Sequence, residues 1–443
     1  MSLIRLGFWA ASGAGGIKYW LATLGDTEVE RGYSLALDSS DNILVNGSTG
    51  SIPGVSSNFF FSKHDAKGAI SWQRSLGGSS ADDGKGNQVT SSNDSYFFGT
   101  TYSSGAGAAD FLLAKYNSSG AIQWQRTLGG TETEDGYGIG IDSNDNAYVT
   151  GYTSSTGAGD FDLLLAKYNS SGVIQWQRVI GGTGREIGYG AAVDSADNVY
   201  VSAQSSSSGA GSNDFLLVKY NSSGTVQWQR TLGNTGGDVA QGVSVDSSDN
   251  VYVGGYAFVP AVGNHFLIAK YNSSGTLQWQ RTIGLATAGN NNCISFDSLD
   301  NVYLIGETSS QGAGSTDFLI VKYNSSGVIQ WQRTLGSTGG EEGRGILVNS
   351  QDDLVLVGYT SAAGEGSRDV LIATLPSDGS LTGTYVLDGV DMVYAASSLT
   401  SSTSSFTAAT SSLTAATSSL TSSTSTLTDS STSFSSHFVE IPA

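Results

Sequence analysis

Residues 136–182 read GYGIGIDSNDNAYVTGYTSSTGAGDFDLLLAKYNSSGVIQWQRVIGG. Four strand candidates stand in this stretch: A (Gly138–Asp142), B (Ala147–Tyr152), C (Phe161–Tyr168) and D (Val173–Val179). In D, Ile174, Trp176 and Arg178 share one face, and Gln175 and Gln177 share the other, the period of two of a strand. Between A and B lies Asp-Ser-Asn-Asp-Asn, and between C and D lies Asn-Ser-Ser-Gly. Both are hairpin chemistry: Asn, Asp and Gly tolerate positive φ, and their side chains bond the local backbone. Four antiparallel strands of this length make one propeller blade. Such a sheet has two apolar faces, and stacking copies around an axis buries both.

The tryptophans count the copies. Trp20, Trp72, Trp124, Trp176, Trp228, Trp279 and Trp331 follow one another at intervals of 52, 52, 52, 52, 51 and 52 residues. Because they keep the blade period and alternate with polar neighbours, they read as core packing. Strand A recurs near Tyr33, Asn87, Tyr137, Tyr189, Gly242, Cys293 and Gly345, and strand C at Phe59, Phe111, Phe161, Phe215, Phe266, Phe318 and Val370. The first D strand (Ile17–Leu24) precedes the first A, and the last C (Asp369–Leu375) has no Trp-bearing D after it. Pairing those two closes the ring without a covalent bond and removes its open edges. The prediction is an all-β, seven-bladed β-propeller of four-stranded antiparallel blades closed by an N-terminal strand. It spans residues 17–390, between an arm at 1–16 and a Ser/Thr-rich heptad tail at 391–443.

The pattern Asp142-x-x-x-Asn146-Ala-Tyr-Val-x-Gly151 returns around Asn198, Asn250 and Asn301. It resembles the bacterial seven-bladed β-propeller repeat family over roughly residues 17 to 376. Two copies depart from it: Asn93-Asp94-Ser95-Tyr96-Phe97-Phe98 lacks the first Asp, and Asn349 stands where Asp is expected. The arm, MSLIRLGFWAASGAGG, resembles the N-terminal segments of marine phage virion proteins. That resemblance implies anchoring to a particle through Leu3, Ile4, Leu6, Phe8 and Trp9.

Composition narrows the function classes. With 20 Lys+Arg against 39 Asp+Glu, the net charge is -19. Such a surface repels phosphate backbones, so no nucleic-acid partner is expected. No apolar run approaches the ~18 residues that span a bilayer, so no membrane insertion is expected. Cys293 is the single cysteine, which excludes an internal disulfide and reads as a packed thiol. Arg5 interrupts the apolar stretch of the arm, which reads as mature chain rather than a cleaved signal.

In a propeller the A–B and C–D turns lie on one face, and the B–C and D–A connections on the other. Here the first face is uniform: KYNSSG occurs five times. The second is diverse, as in Thr131–Asp135, Thr183–Ile187 and the apolar Ala257–His265. Loops on a rigid scaffold carry recognition, so this face is the candidate partner surface, through Glu132, Glu134, Asp135, Arg185, Phe258, His265, Glu341 and Glu342. Acidic residues gather there, and they read as solvated loop charge. The Asp-Ser-x-Asp-Asn turns lack the central Gly and closing Glu of a calcium loop, so they read as turn caps. His64, His265 and His437 occupy unrelated repeat positions. No catalytic set, metal site or cofactor is expected.

In the tail, Leu399, Phe406, Leu413, Leu420, Leu427 and Phe434 recur every seven residues. Seven residues make two helical turns, so the expectation is a slender coiled coil joining copies of the chain, a trimer by analogy with fibrous viral proteins. Ser and Thr are poor helix formers, and disorder is the competing expectation. The functional expectation is a non-enzymatic phage virion protein, a fibre, appendage or decoration, with other virion proteins and a host glycan or protein as partners. The alternatives are an extracellular or cell-surface propeller that binds glycan or protein, and a polysaccharide-acting enzyme.

Overall fold

The computed structural model describes residues 18–50, 57–284, 286–288, 293–403, 406–411, 413–418, 420–425, 427–431 and 435–442. They form seven sheets around one axis. Blade 3 is typical, with strands Glu134–Ile141, Ala147–Thr153, Asp162–Tyr168 and Ile174–Gly181. Strands B and C are covered on both faces by neighbouring blades, and they read as near-continuous apolar runs. Strand A is innermost and starts earlier than its sequence suggests. A β-bulge between Gly136 and Gly138 breaks the simple alternation there.

The predicted closure is present. Tyr19–Gly25 pairs antiparallel with Asp369–Leu375 and serves as strand D of blade 7. Lys18 meets Asp353 at 3.1 Å, and the Tyr19 hydroxyl donates to the same carboxylate at 3.0 Å. These contacts restore in blade 7 the lysine–aspartate pair that other blades make internally, such as Lys167–Asp142 at 2.9 Å. The A–B turns cap themselves. Asp142 accepts the amides of Asn144 and Asn146 at 3.0 and 2.9 Å, and Asp145 takes a φ of 60°.

The tryptophans pack on the inter-blade cores, as expected, and also stitch blades together. Trp124 Nε1 donates to the Ser170 carbonyl at 3.3 Å, and Arg126 Nε to the Gly172 carbonyl at 2.9 Å, both in the next blade's C–D turn. Gly172 has φ 75°, and a Cβ there would come within 2.8 Å of the Trp124 ring. The glycine of KYNSSG is thus fixed twice, by the turn and by the neighbour's indole. Trp20 and Trp72 are buried, and the remaining five of the series are half-buried.

The tail corrects the coiled-coil expectation. It is extended, and it winds around the outside of the propeller against chain order, giving each blade a fifth strand. Ala396, Thr403, Thr410, Thr417, Thr424, Ser431 and Phe438 lie opposite Arg333, Arg281, Arg230, Arg178, Arg126, Arg74 and Ala22. One heptad therefore advances the chain by one blade. A period of seven does not name a helix by itself. Thr and Ser favour the pleated edge, and the unpaired edge of each D strand supplies the bonds a lone helix of these residues would lack.

The heptad apolar residues face this chain's own propeller, not a partner helix. Leu399, Leu420 and Leu427 are buried, and Phe406 and Leu413 pack against the inter-blade cores. Gln332, Gln280, Gln229, Gln177 and Gln125 donate to the carbonyls of Leu399, Phe406, Leu413, Leu420 and Leu427 at 2.6–3.0 Å. In blade 7, where Ala22 replaces the arginine, Phe438 lies on Trp20 with ring centroids 5.6 Å apart. Before the tail reaches the other blades, Gly383–Leu387 pairs with Val390–Ala396 outside blade 6. Phe434 lies outside the described residues, as do Leu3, Ile4, Leu6, Phe8 and Trp9.

Candidate recognition site at the channel mouth

Six of the seven innermost strands carry a bulge at one position among the described residues. The bulged residues are Tyr33, Lys85, Tyr137, Tyr189, Gln241 and Arg344. Small residues flank each of them, Gly on both sides of Lys85, Tyr137, Tyr189 and Arg344. A bulge re-aims its side chain out of the ladder, and here consecutive blades bring the re-aimed side chains together. Lys85 Nζ lies 4.6 Å from the Tyr33 ring centroid, and the Tyr137 and Tyr189 rings are 5.1 Å apart. They circle the axis near the D–A and B–C face.

Two further rings complete this mouth. Two residues before each bulge stand Arg31, Asp83, Asp135, Ile187, Val239 and Glu342. Opposite them on strand B stand Ser48, Thr100, Tyr152, Gln204, Tyr256 and Tyr359. These positions differ from blade to blade, whereas the turns at the other end repeat. At the other end of the channel lies a cavity of about 420 Å³ with an aliphatic ring of Leu37, Val89, Ile141, Val193, Val245 and Val348, beside which stand Gln88 and Ser244.

The mouth has an aromatic wall over blades 3 and 4. Tyr137 is 6.4 Å from Tyr152, Tyr152 is 4.4 Å from Phe161, and the Arg185 guanidinium lies 4.8 Å over Phe161. The Tyr137 hydroxyl donates to Asp135 at 2.8 Å, and Thr100 donates to the other oxygen of that carboxylate. Burial, reinforced by the Asp135 charge, pushes the Tyr137 phenol well above its ordinary range. Burial likewise moves Tyr152 up to about 12. Both phenols are neutral donors at physiological pH. Across the mouth, Arg344 is bonded to Glu342 and to the Tyr359 hydroxyl at 3.0 Å.

The sequence candidates divide. Asp135, Arg185 and Glu342 come together at or beside the mouth. Glu132 is exposed on the loop above. Glu134 and Glu341 are fully buried and belong to the framework, which corrects their reading as solvated loop charge. Glu134 accepts the Gly130 amide at 2.6 Å and the Thr153 hydroxyl at 2.6 Å, and Glu341 accepts Ser337 and Thr360 in the same way. Glu30, Asp82, Glu186 and Asp238 repeat this arrangement. Phe258 and His265 lie on a long hairpin of blade 5, where Ala257 pairs with His265 and Phe258 stays exposed.

The bulge positions were missed by sequence reasoning. Their signal was a varying residue between two small ones, Gly on both sides in four copies, when the copies are laid over one another. Among the described residues no group of three or more His, Cys, Asp or Glu is placed to hold a metal ion, and no helix is long and apolar enough to cross a membrane.

The match to a family model agrees with the repeat architecture. A family model described as Beta-propeller repeat matches residues 123–157, which run from strand D of blade 2 through strand B of blade 3. An uncharacterized WD repeat-containing protein of Acanthamoeba polyphaga mimivirus is 22% identical over 299 residues, 55% of this chain but only 19% of that relative. The chain thus spans a small part of that protein's length. Among solved structures, a polysaccharide lyase is 8% identical, with 85% of this chain and 94% of that chain covered and a TM-score of 0.48. Drosophila Plexin A is 8% identical, with coverages of 80% and 88% and a TM-score of 0.39. A Bacteroides caccae protein of unknown function is 8% identical, with coverages of 59% and 93% and a TM-score of 0.33. At these identities the likeness is one of fold alone.

Proposed function

We propose that the chain is a non-enzymatic virion structural protein, a fibre, appendage or decoration, whose propeller offers the channel mouth to a host glycan or protein. The observation that carries this reading is the confinement of variation. Three rings of side chains at one mouth vary among the described blades, from Lys and Arg to Tyr and Gln at the bulge alone, while the A–B and C–D turns at the other end repeat. Rigid strands place these side chains, so binding costs little ordering. A binding role rather than turnover is supported by two carboxylates of the mouth. Asp135 is held by Tyr137 and Thr100, and Glu342 by Arg344, which leaves neither poised as an acid or a base. The particle setting rests on the arm's resemblance to phage virion segments.

The test is adsorption. Purified full-length chain should bind host cells and block particle adsorption, and an antibody to it should label intact particles. Replacing Tyr137 and Tyr189 together with Ser should abolish cell binding while the far-ultraviolet spectrum keeps its strand signal. A chain absent from particles, or a double variant that binds cells as before, would overturn the proposal.

A further inference from the structure

Cations are scarce in this chain, and most are committed to the repeat. Lys167, with its counterparts in other blades, pairs with an A–B turn carboxylate. Arg126, with its counterparts, bonds a glycine carbonyl of the next blade. Several cations outside this framework lie on the diverse face. Arg31, Lys85, Arg344 and Arg368 lie on three adjacent blades, 1, 2 and 7. Arg344 and Arg368 both lie over the Tyr359 ring, at 5.4 and 5.2 Å. Arg31 and Lys85 have no carboxylate within ion-pairing distance among the described residues, and both are half-buried. Lys85 rests instead on the Tyr33 ring at 4.6 Å. Glu342 and Glu307 both face Arg344, Asp83 lies beside Lys85 on the same strand, and Glu30, Asp82 and Glu341 are buried in the framework behind them. In a chain of net charge -19, Arg31 and Lys85 stand out as two cations at the mouth outside any ion pair among the described residues.

Half-buried cations without a counter-ion are costly unless a ligand supplies the charge. Stacking on tyrosine fixes their heads and keeps them available to an anion. Opposite this arc stands the wall of Tyr137, Tyr189, Tyr152 and Phe161, whose faces suit the apolar face of a pyranose ring.

We infer that the mouth binds an acidic oligosaccharide, with its carboxylate or sulfate groups on Arg31 and Lys85 and its sugar rings against the Tyr137–Tyr189 wall. This deepens the recognition role proposed above and rests on it. Arg31 would engage the acid group in a bidentate manner, and Lys85 as a point charge.

The test titrates full-length chain with oligogalacturonate, with sulfated dextran oligosaccharide and with uncharged dextran oligosaccharide. Three variants are compared: Arg31→Gln/Lys85→Gln, Tyr137→Ser/Tyr189→Ser, and Lys67→Gln on the opposite face. The inference expects at least one charged probe to bind at least about tenfold more tightly than dextran, a gap of about 1.4 kcal/mol. Binding should weaken about tenfold or more in the first variant, fall in the second, and hold in the third. Preference for the carboxylated or the sulfated probe identifies the anion. Equal binding of dextran, or charged-probe binding untouched by Arg31→Gln/Lys85→Gln, overturns the inference. If no probe binds while Tyr137→Ser/Tyr189→Ser still abolishes cell binding, the ligand class is wrong and the recognition reading survives. If that variant also leaves cell binding intact, both fall.

Discussion

The backbone amide of Ser350 donates to the Asp41 carboxylate at 3.1 Å, and the Ser350 hydroxyl donates to its other oxygen, across 309 positions of chain. The same link joins Ser91 to Asp145, Ser143 to Asp197, Ser195 to Asp249, Ser247 to Asp300 and Ser298 to Asp352, and Ser39 meets Asn93 likewise. The A–B turns therefore form a closed circle. Ser350–Asp41 is its non-covalent seam, beside the seam made by Tyr19–Gly25. The aspartates hold φ near 60°, which costs a residue without a locally bonding side chain about 1 kcal/mol.

Asp41→Ala therefore loses two hydrogen bonds and strains the turn. We expect a destabilisation of about 2 kcal/mol, read as a melting temperature lower by a few degrees. Asp41→Gly should recover the conformational part and only that part. An Asp41→Ala protein with unchanged melting would contradict a role for the turn circle in closure.

Cutting the chain after Ala396 removes the tail and bares the outer edges of the D strands. Exposed edges recruit other chains, so the truncated protein should gain molar mass in light scattering, and its far-ultraviolet spectrum should lose strand, not helix. A trimer that dissociates to monomers on truncation would restore the coiled-coil reading.

Leu420 seats against Gly130, where a Cβ would lie 3.0 Å from its Cδ2 and 2.5 Å from Ser155 Cβ. Leu420→Ala should open the tail locally, at a cost of about 1–2 kcal/mol for a buried leucine at an edge. Limited proteolysis should then cut between Leu413 and Leu427 faster than in the parent, while the propeller core persists. Equal cleavage rates would show that the leucine is not a peg.

Burial raises the Asp369 carboxyl from 3.8 to about 6, with the neighbouring Glu30 charge adding to it. A carboxyl raised by folding favours the protonated state. Its contribution is full below the unfolded value, near pH 4, and is lost as pH rises through about 6. Asp369→Asn keeps the acceptor for the Gly366 amide and offers Glu30 a donor. It should raise stability at neutral pH by about 1 kcal/mol after solvent screening, and flatten the pH dependence between about 4 and 6. A variant less stable than the parent at neutral pH would contradict this.

Blade number, strand order and the N-terminal closure were legible because Trp20 to Trp331 and the KYNSSG turns repeat at blade length. The tail was misread because Leu399 to Leu427 satisfy two geometries at once. A spacing of seven fits two helical turns, and it equally fits four paired residues plus a crossing to the next blade. Only the positions of Arg333 to Arg74 on the D edges distinguish them. Glu134 and Asp135 show a second limit. They are adjacent and chemically alike, yet one is buried under Thr153 and the other holds Tyr137 at the mouth. The bulge that sets Tyr137 apart depends on pairing with strand B, which no single stretch of sequence contains.

The most direct test of the recognition face is photo-crosslinking from two exposed positions. A photoreactive phenylalanine replaces either Tyr102, beside the mouth and 48% exposed, or Leu299, on the A–B turns and 78% exposed. Each protein is illuminated on host cells. The account predicts adducts with surface glycan or protein from position 102 and none above background from position 299. Adducts from 299 alone, or equally from both, would contradict it.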